Sequence, residues 1–237
     1  MTIERPRAPW WSDARAGMLA VLPMLLGVVP FGIVAGATPV ARGLGPYAGI
    51  GFSTVVFAGA SQLAAIETLG NGGSALVATV AACTINLRML LYSASLAPYL
   101  AHETRTRRLG AAYLLVDQVY AASIGRWRRD NTRPEGRLPF FAGGGLLLWT
   151  SWQLATVAGT IVGTRIPSAV PLDFAVPLVF LVLLIPTLVD RPAWAAAAAG
   201  GAGAVLASEI GLGEIAIVVG AVSGIVAGVL IESVVDG

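Results

Sequence analysis

Residues 74–100 read SALVATVAACTINLRMLLYSASLAPYL, an apolar run in which Arg88 is the only charged residue. The run exceeds the roughly 20 residues that a helix needs to cross the hydrocarbon core of a bilayer. An ionisable side chain at mid-depth in a membrane is costly, so its presence usually marks a role. This stretch therefore predicts a membrane-spanning helix that carries a buried arginine.

The composition of the whole chain agrees with a lipid environment. Of 237 residues, 56% are hydrophobic and 12% are charged, whereas soluble domains carry about 25% charged residues. The length predicts an all-α integral membrane protein, a polytopic helical bundle of about 7–8 apolar segments, some broken or re-entrant. Cys83 and His102 are the only residues of their types. We therefore expect no disulfide within the chain, no metal site, no cofactor and no enzyme activity.

The pattern of apolar segments predicts the organisation of the chain. Residues 1–14 form a polar, proline-rich arm without the features of a cleavable signal peptide, and residues 15–237 form a single transmembrane bundle. The apolar segments lie at about 15–36, 47–69, 74–100, 110–125, 140–163, 174–189, 193–208 and 214–233.

Arginine placement predicts part of the topology, because cytoplasmic loops are enriched in basic residues. We expect the chain to lie in the inner (plasma) membrane of the cell. The basic residues Arg5, Arg7 and Arg15 predict a cytoplasmic N-terminus, and the arginine-rich loop 126–138 is predicted on the same side. The loop 101–109 is also basic, yet four full crossings before residue 126 would put it outside. Either segment 47–69 is re-entrant and segment 110–125 does not fully span, or the rule fails at this loop.

The second segment is a poor continuous helix. It runs Phe57-Ala58-Gly59-Ala60-Ser61-Gln62 through its middle, and Glu67 follows five residues later. A broken helix frees backbone N–H and C=O groups, which a membrane tolerates only against protein or a watery cavity. We interpret this run as a functional break, although Glu67 alone could simply lie near the membrane surface beside Gly70-Asn71-Gly72-Gly73.

Arg88 has two open interpretations. Its guanidinium is suited to hold a carboxylate bidentately, which would give it a direct role in substrate binding. Alternatively, it forms an internal ion pair with Asp117 or Glu67 that joins two helices. Both carboxylates are also candidates for proton coupling, because desolvation favours the protonated form of a carboxyl group.

Four pieces of sequence together resemble one family. They are Pro30-Phe31-Gly32, the run Phe57–Gln62, Asn86-Leu87-Arg88 with Leu91-Tyr92 and Ser95-Leu96-Ala97-Pro98, and Tyr113-Leu114-Leu115-Val116-Asp117-Gln118. Their order and spacing over about residues 15–130 resemble the AzlC family, the large subunit of branched-chain amino acid exporters. Gln118 departs from the pattern, since many relatives carry an acidic residue after the aspartate.

The resemblance implies a two-component permease that works with a small membrane subunit of the AzlD type. The implied substrates are valine, leucine, isoleucine and sometimes methionine, exported by the cell at the expense of the proton gradient. An amino acid needs a carboxylate site, an ammonium site and an apolar pocket. Arg88, or free N–H groups near Gly59–Ser61, would meet the carboxylate, and Asp117 or Glu67 would meet the ammonium group or carry the proton. Further candidates for the substrate site are the polar Ser61, Gln62 and Asn86 and the aromatic Phe31, Phe57 and Trp152.

Two other functions fit the same residues. A passive channel-like facilitator of another small solute would share the broken helices but would not need titratable groups at mid-depth. A non-transporting membrane scaffold would use all its buried polar residues to join helices. We expect no nucleic-acid partner, because the charge is small and segregated.

Overall fold

The structure, a computed structural model, describes residues 9–129, 133–165, 184, 188–212 and 216–235. These residues form helices and turns without a strand, so the predicted all-α membrane fold is confirmed. The chain forms two compact units, Met1–Val179 and Phe180–Gly237. Most of the predicted segment 174–189 lies outside the described residues.

The first unit contains eight helices in its described part. They are α1 (Trp10–Val21), α2 (Leu25–Ala41), α3 (Pro46–Val55), α4 (Gly59–Gly70), α5 (Ala75–Leu96), α6 (Arg105–Tyr113), α7 (Asp117–Arg129) and α8 (Pro134–Gly163). Short 3-10 turns follow α1 at Leu22–Met24 and α5 at Ala97–Leu100. Helix α1 thus begins at Trp10, a few residues earlier than the predicted segment.

Three helical stretches in the described residues are long and apolar enough to cross a bilayer. They are Trp10–Ala41 (32 residues), Ala75–Leu100 (26 residues) and Pro134–Gly163 (30 residues). At about 1.5 Å per residue, each exceeds the roughly 30 Å of a hydrocarbon core. Large apolar side chains on α5 are mostly exposed, including Leu87, Leu90 and Leu91, as expected of a helix that borders lipid.

The α1–α2 stretch packs in parallel against α8. Gly17 lies against the backbone of Phe140, and Gly36 lies against that of Thr156, so both helices advance in the same direction. A methyl group at either glycine would overlap the facing carbonyl. Small residues allow this close approach, which favours association of membrane helices through van der Waals packing. The two ends of the unit are named below after this stretch, as the Trp10 end and the Ala41 end.

Helices α3 and α4 form a re-entrant hairpin from the Ala41 end. Helix α3 begins just after α2 ends, and its far end reaches the middle of α8, where Ser53 contacts Thr156. Helix α4 then returns, because Glu67 near its C-terminus pairs with Arg42 (Oε2 to Nη2, 2.6 Å). At 10 and 12 residues, neither arm crosses a bilayer alone. The prediction that segment 47–69 is re-entrant agrees with this geometry.

Helices α6 and α7 form a second hairpin, which enters from the Trp10 end. Helix α5 reaches that end, where Arg137 near the start of α8 donates to the carbonyl of Tyr99 (3.3 Å). Helix α6 rises to mid-bundle, where Trp149 of α8 donates to the hydroxyl of Tyr113 (2.9 Å). Helix α7 returns, and Trp127 packs on the ring of Tyr99 (5.4 Å between centroids).

This arrangement resolves the conflict over the basic loops. Arg133 lies 3.5 Å from Asp13 at the start of α1, so the described part of loop 126–138 is at the Trp10 end. Loop 101–109 follows Leu100 at the same end. Both loops therefore lie at the same end as the start of α1. This agrees with the first alternative, in which segment 47–69 is re-entrant and segment 110–125 does not fully span. In this arrangement the two basic loops no longer need to lie on opposite sides of the membrane.

The second unit contains α9 (Arg191–Glu209) and α10 (Ala216–Val235). Asp190 caps α9 by accepting from the backbone N–H of Ala193 (2.8 Å). The two helices are antiparallel, because Gly200 lies against Gly220 while Ala196 lies against Gly224. Close packing of small residues again holds the pair together.

Candidate functional site

The first hairpin turns at Phe57, which has a left-handed backbone (φ +42°). This conformation is uncommon for a residue with a side chain and marks local strain, which clusters at functional sites. Helix α3 ends at Val55 and α4 begins at Gly59. A side chain at Gly59 would collide with Phe31 and Trp152, so a residue without a side chain is needed there. The predicted break in the run Phe57–Gln62 is present.

A buried polar cluster, Ser53, Gln62, Trp152 and Thr156, fixes this hairpin to α8. The hydroxyl of Ser53 accepts from Gln62 Nε2 (3.0 Å) and from Trp152 Nε1 (3.2 Å), and shares a hydrogen bond with the Thr156 hydroxyl (2.9 Å). Ser53, Gln62 and Thr156 are 0% exposed. Buried polar groups need such partners, so the cluster holds the two arms of the hairpin and α8 in one register.

The carbonyl groups at the end of α3 are satisfied by side chains from other helices. Gln153 donates to the carbonyl of Ser53 (3.0 Å), and Tyr113 donates to that of Thr54 (2.7 Å). At the start of α4, by contrast, no side chain caps the helix. The first N–H groups of a helix lack partners within it and attract negative charge.

Aromatic rings surround the start of α4. Phe31 and Trp152 meet edge to face (5.5 Å between centroids), and Phe57 is buried with its ring 6.2 Å from that of Tyr113. The hydroxyl of Ser61 donates to the carbonyl of Ala58 (2.9 Å) and is fully buried. Of the predicted substrate residues, Phe31, Phe57, Ser61, Gln62 and Trp152 are therefore brought together at this hairpin.

Arg88 pairs with Asp117, one of the two partners predicted for it. Arg88 Nη1 lies 3.1 Å from Asp117 Oδ2, and the two side chains are 36% and 39% exposed. Asp117 is the first residue of α7, not the middle of a helix as the apolar segment 110–125 implies. The chain breaks at residues 114–116, and the N-terminus of α7 favours a carboxylate there.

Polar atoms around this pair retain hydrogen-bonding capacity. Within the part of the chain that the structure describes, Arg88 Nε, Asp117 Oδ1 and Asn86 Oδ1 are buried without a hydrogen-bond partner. Beside them, Tyr92 and Tyr120 stack at 4.2 Å between centroids, and Tyr120 donates to Ser95 (3.1 Å). Buried polar atoms of this kind need an explanation, and a polar solute is one.

Glu67 is not part of this group. Its carboxylate pairs with Arg42 at the Ala41 end, where the side chains of Arg42 and Glu67 are 28% and 30% exposed. The structure thus separates the two carboxylates that were predicted as candidates for proton coupling. Asp117 lies at a helix break in the bundle, and Glu67 lies at its end.

Sequence reasoning missed Ser53, Thr156 and the role of Tyr113. Ser and Thr are common in apolar helices, where their hydroxyls usually bond to the preceding turn, so nothing singled these two out. Tyr113 stands in one of the runs that carry the family resemblance, which was the available signal. Among the described residues, no three His, Cys, Asp or Glu side chains are grouped in a way that could hold a metal ion.

Comparison with known proteins gives one family and two membrane-protein relatives. The model of the AzlC family, described as "AzlC protein", matches residues 23–166, which is more than half of the chain. "Inner membrane protein YgaZ" of Escherichia coli K12 is 26% identical over 184 residues, covering 75% of this chain and 74% of the relative. An "Uncharacterized membrane protein" of Archaeoglobus fulgidus is 29% identical over 218 residues, covering 89% and 91%. No solved structure matches the chain. The chain therefore belongs to the AzlC family, whose members are membrane proteins related to transport.

Proposed function

We propose that this chain is the large subunit of a two-component, proton-coupled exporter of branched-chain amino acids. The observation that supports this most is the pair of re-entrant hairpins, which enter from opposite ends and touch at their breaks through Phe57 and Tyr113. Secondary transporters bind substrates near the bilayer midplane, between discontinuous helices whose N-termini point at anionic groups. The substrates are valine, leucine and isoleucine, with methionine as a further candidate.

The start of α4 is suited to the carboxylate and the side chain of such a substrate. Its uncapped N–H groups supply donors, and Phe31, Phe57 and Trp152 supply an apolar wall. An aliphatic side chain against these rings gives little discrimination, because one methylene is worth only about 1–3 kcal/mol. We therefore expect a range of apolar amino acids to be accepted.

The Arg88–Asp117 pair is suited to coupling. When Asp117 is ionised, the pair can open around a substrate, with Arg88 on its carboxylate and Asp117 on its ammonium group. When Asp117 takes up a proton, it no longer attracts the ammonium group, so proton and substrate exclude each other, as export driven by an inward proton gradient requires. A group that alternates between two partners in this way links proton movement to substrate movement, since each state favours a different ligand.

The family and the charges support a proposal for the partner and for the orientation. A small AzlD-type membrane subunit is the proposed partner. The basic loops at the Trp10 end favour an orientation in the inner membrane with that end in the cytoplasm. The outward-facing apolar surface of α5 is compatible with either lipid or a membrane partner.

The test is efflux from liposomes that contain this chain and an AzlD-type subunit. Labelled valine, leucine, isoleucine and methionine are followed with and without an imposed proton gradient. Arg88→Gln is compared with Arg42→Gln, which removes the same charge from an ion pair at the end of the unit. We expect gradient-driven efflux that needs both chains, is abolished by Arg88→Gln and is retained by Arg42→Gln.

Other outcomes assign other functions. Efflux without gradient dependence favours a passive facilitator. No flux of any of the four amino acids from a demonstrably folded pair contradicts the proposed substrate class. A change in the abundance of the assembled pair, with unchanged flux per pair in every variant, favours a scaffold.

A further inference from the structure

A cavity of about 560 Å³ lies between the end of α5 and helix α6. Its inner wall is apolar and belongs to the core, with Leu96, Leu100, Leu115 and Phe141 all buried. Its mouth carries Arg105 and Arg108. The volume falls within the roughly 300–1,000 Å³ of small-molecule sites. The cavity therefore combines an apolar interior with a cationic rim.

The two arginines at the mouth are free to bind an anion. Arg107, between them in sequence, pairs with Glu103 (3.1 Å), and His102 lies 3.5 Å from the same carboxylate. Among the described residues, Arg105 and Arg108 have no ion-pair partner, and both are exposed. The local acid is thus already engaged, and nothing in the described part of the chain compensates the two positive charges at the cavity.

The cavity lies at headgroup depth by an independent criterion. Helix α6 starts at the Trp10 end, where Trp10 and Trp11 are 57% and 59% exposed. Exposed tryptophans of membrane proteins concentrate at the level of the lipid headgroups. Arginines beside an apolar cavity at that depth match a molecule with a negative head and an apolar tail.

We propose that this cavity is a binding site for an anionic phospholipid of the adjoining leaflet. The phosphate lies between Arg105 and Arg108, and part of one acyl chain fills the space lined by Leu96, Leu100 and Leu115. A basic pocket between membrane helices is a known type of site for anionic headgroups. The bound lipid would support the second hairpin against α5, and this proposal does not depend on which solute the protein transports.

The test is native mass spectrometry of the full-length chain, titrated with phosphatidylglycerol or phosphatidylcholine. Wild type is compared with Arg105→Gln/Arg108→Gln and with Ala112→Phe, which fills the cavity from its exposed rim without changing the charge. The matched control is Arg15→Gln/Arg128→Gln, which also removes two exposed charges at this end but changes no lining residue and leaves the Arg107–Glu103 pair intact. Thermal unfolding of each variant establishes that it is folded.

We expect phosphatidylglycerol to bind more tightly than phosphatidylcholine. The double arginine variant should weaken phosphatidylglycerol binding by about 10- to 30-fold, and Ala112→Phe should weaken it as well, while the control pair binds as wild type does. Equal binding of the two lipids, or wild-type binding by both cavity variants, overturns the proposal. The same titration is made with inorganic phosphate. If phosphate binding depends on the two arginines while phosphatidylglycerol binding is unaffected by Ala112→Phe, the cavity is a site for a free anion, and the lipid proposal is overturned.

Discussion

The hydroxyl of Tyr113 donates a hydrogen bond of 2.7 Å to the backbone carbonyl of Thr54. The two residues belong to different hairpins, since Tyr113 ends α6 and Thr54 lies in the last turn of α3. Because the chain breaks just after α3, this carbonyl has no intrahelical donor to rely on. A side chain of the second hairpin thus supplies the hydrogen bond that the last turn of α3 lacks. We therefore expect a movement of one hairpin to affect the other.

Replacing Tyr113 with Phe leaves the aromatic ring in place but removes this donor and the acceptor of the Trp149 N–H. We expect the free energy of unfolding to fall by about 1 kcal/mol for each bond lost, and efflux to fall by more than the loss of folded protein explains. Tyr47→Phe is the control, because Tyr47 is 85% exposed. Thermal unfolding and efflux are measured on the same preparations. Unchanged efflux in Tyr113→Phe would show that the bond does not couple the hairpins during transport.

Exchanging the charges of the Arg88–Asp117 pair separates its two interpretations. We expect Arg88→Gln alone to abolish transport, because the substrate carboxylate loses its cation. It should also lower the amount of folded protein, because Asp117 is left half-buried and uncompensated. The double variant Arg88→Asp/Asp117→Arg should restore the amount of folded protein without restoring efflux, since a carboxylate at position 88 repels a substrate carboxylate. Folded yield is measured by size-exclusion chromatography. Full recovery of efflux would mean that the pair only joins helices.

Asp117 and Glu67 are predicted to respond differently to loss of their charge. Asp117→Asn should leave efflux that no longer depends on an imposed proton gradient, because the amide cannot take up a proton at that site. Glu67→Gln changes a pair at the Ala41 end and should keep the gradient dependence. Efflux is recorded at several imposed gradients for each variant. The opposite pattern would transfer the coupling role to Glu67.

The parts of the fold that sequence could predict are those in which a polar residue interrupts an apolar run. Arg88 required a partner, and its two candidates were identifiable because few carboxylates lie within apolar segments. The glycine and polar residues of Phe57–Gln62 likewise indicated a break. Both features are properties of single segments, so hydropathy and residue type are enough to reveal them.

Contacts between segments were harder to predict. The hydroxyls of Thr79 and Thr84 bond to carbonyls of their own helix, whereas those of Ser53 and Thr156 bond across helices. Nothing in the sequence separates the two cases. The break at residues 114–116 was also missed, because Leu, Leu and Val there read as continuous helix. It takes the Tyr113–Thr54 bond and the N-terminal position of Asp117 to explain why the chain turns.

Ser53 is predicted to be the most sensitive residue of the buried polar cluster. Ser53→Ala would leave the Trp152 N–H without its acceptor and the Gln62 amide with only a long bond to the Gly49 carbonyl (3.4 Å), and a buried unsatisfied group costs about 1–3 kcal/mol. Thr54→Val is a matched control, because the Thr54 hydroxyl is exposed and bonds within its own helix. The melting temperature should fall clearly for Ser53→Ala and little for Thr54→Val. Equal effects would mean that the cluster contributes nothing specific to stability.

Gly36 is predicted to tolerate no side chain, because it lies where the parallel helices α2 and α8 touch. A methyl group there would overlap the backbone of Thr156, and backbone cannot give way as a flexible side chain can. Forcing extra atoms into a close-packed contact costs typically about 1–3 kcal/mol, so Gly36→Ala should lower the melting temperature and the folded yield. Gly51→Ala is the control: a methyl group there meets nothing within 4 Å, and alanine is the better helix former by about 1 kcal/mol. If Gly36→Ala lowers the melting temperature and Gly51→Ala raises it, the destabilisation by Gly36→Ala comes from the interface between α2 and α8. If Gly36→Ala were as stable as Gly51→Ala, the close parallel packing of these two spans would be wrong.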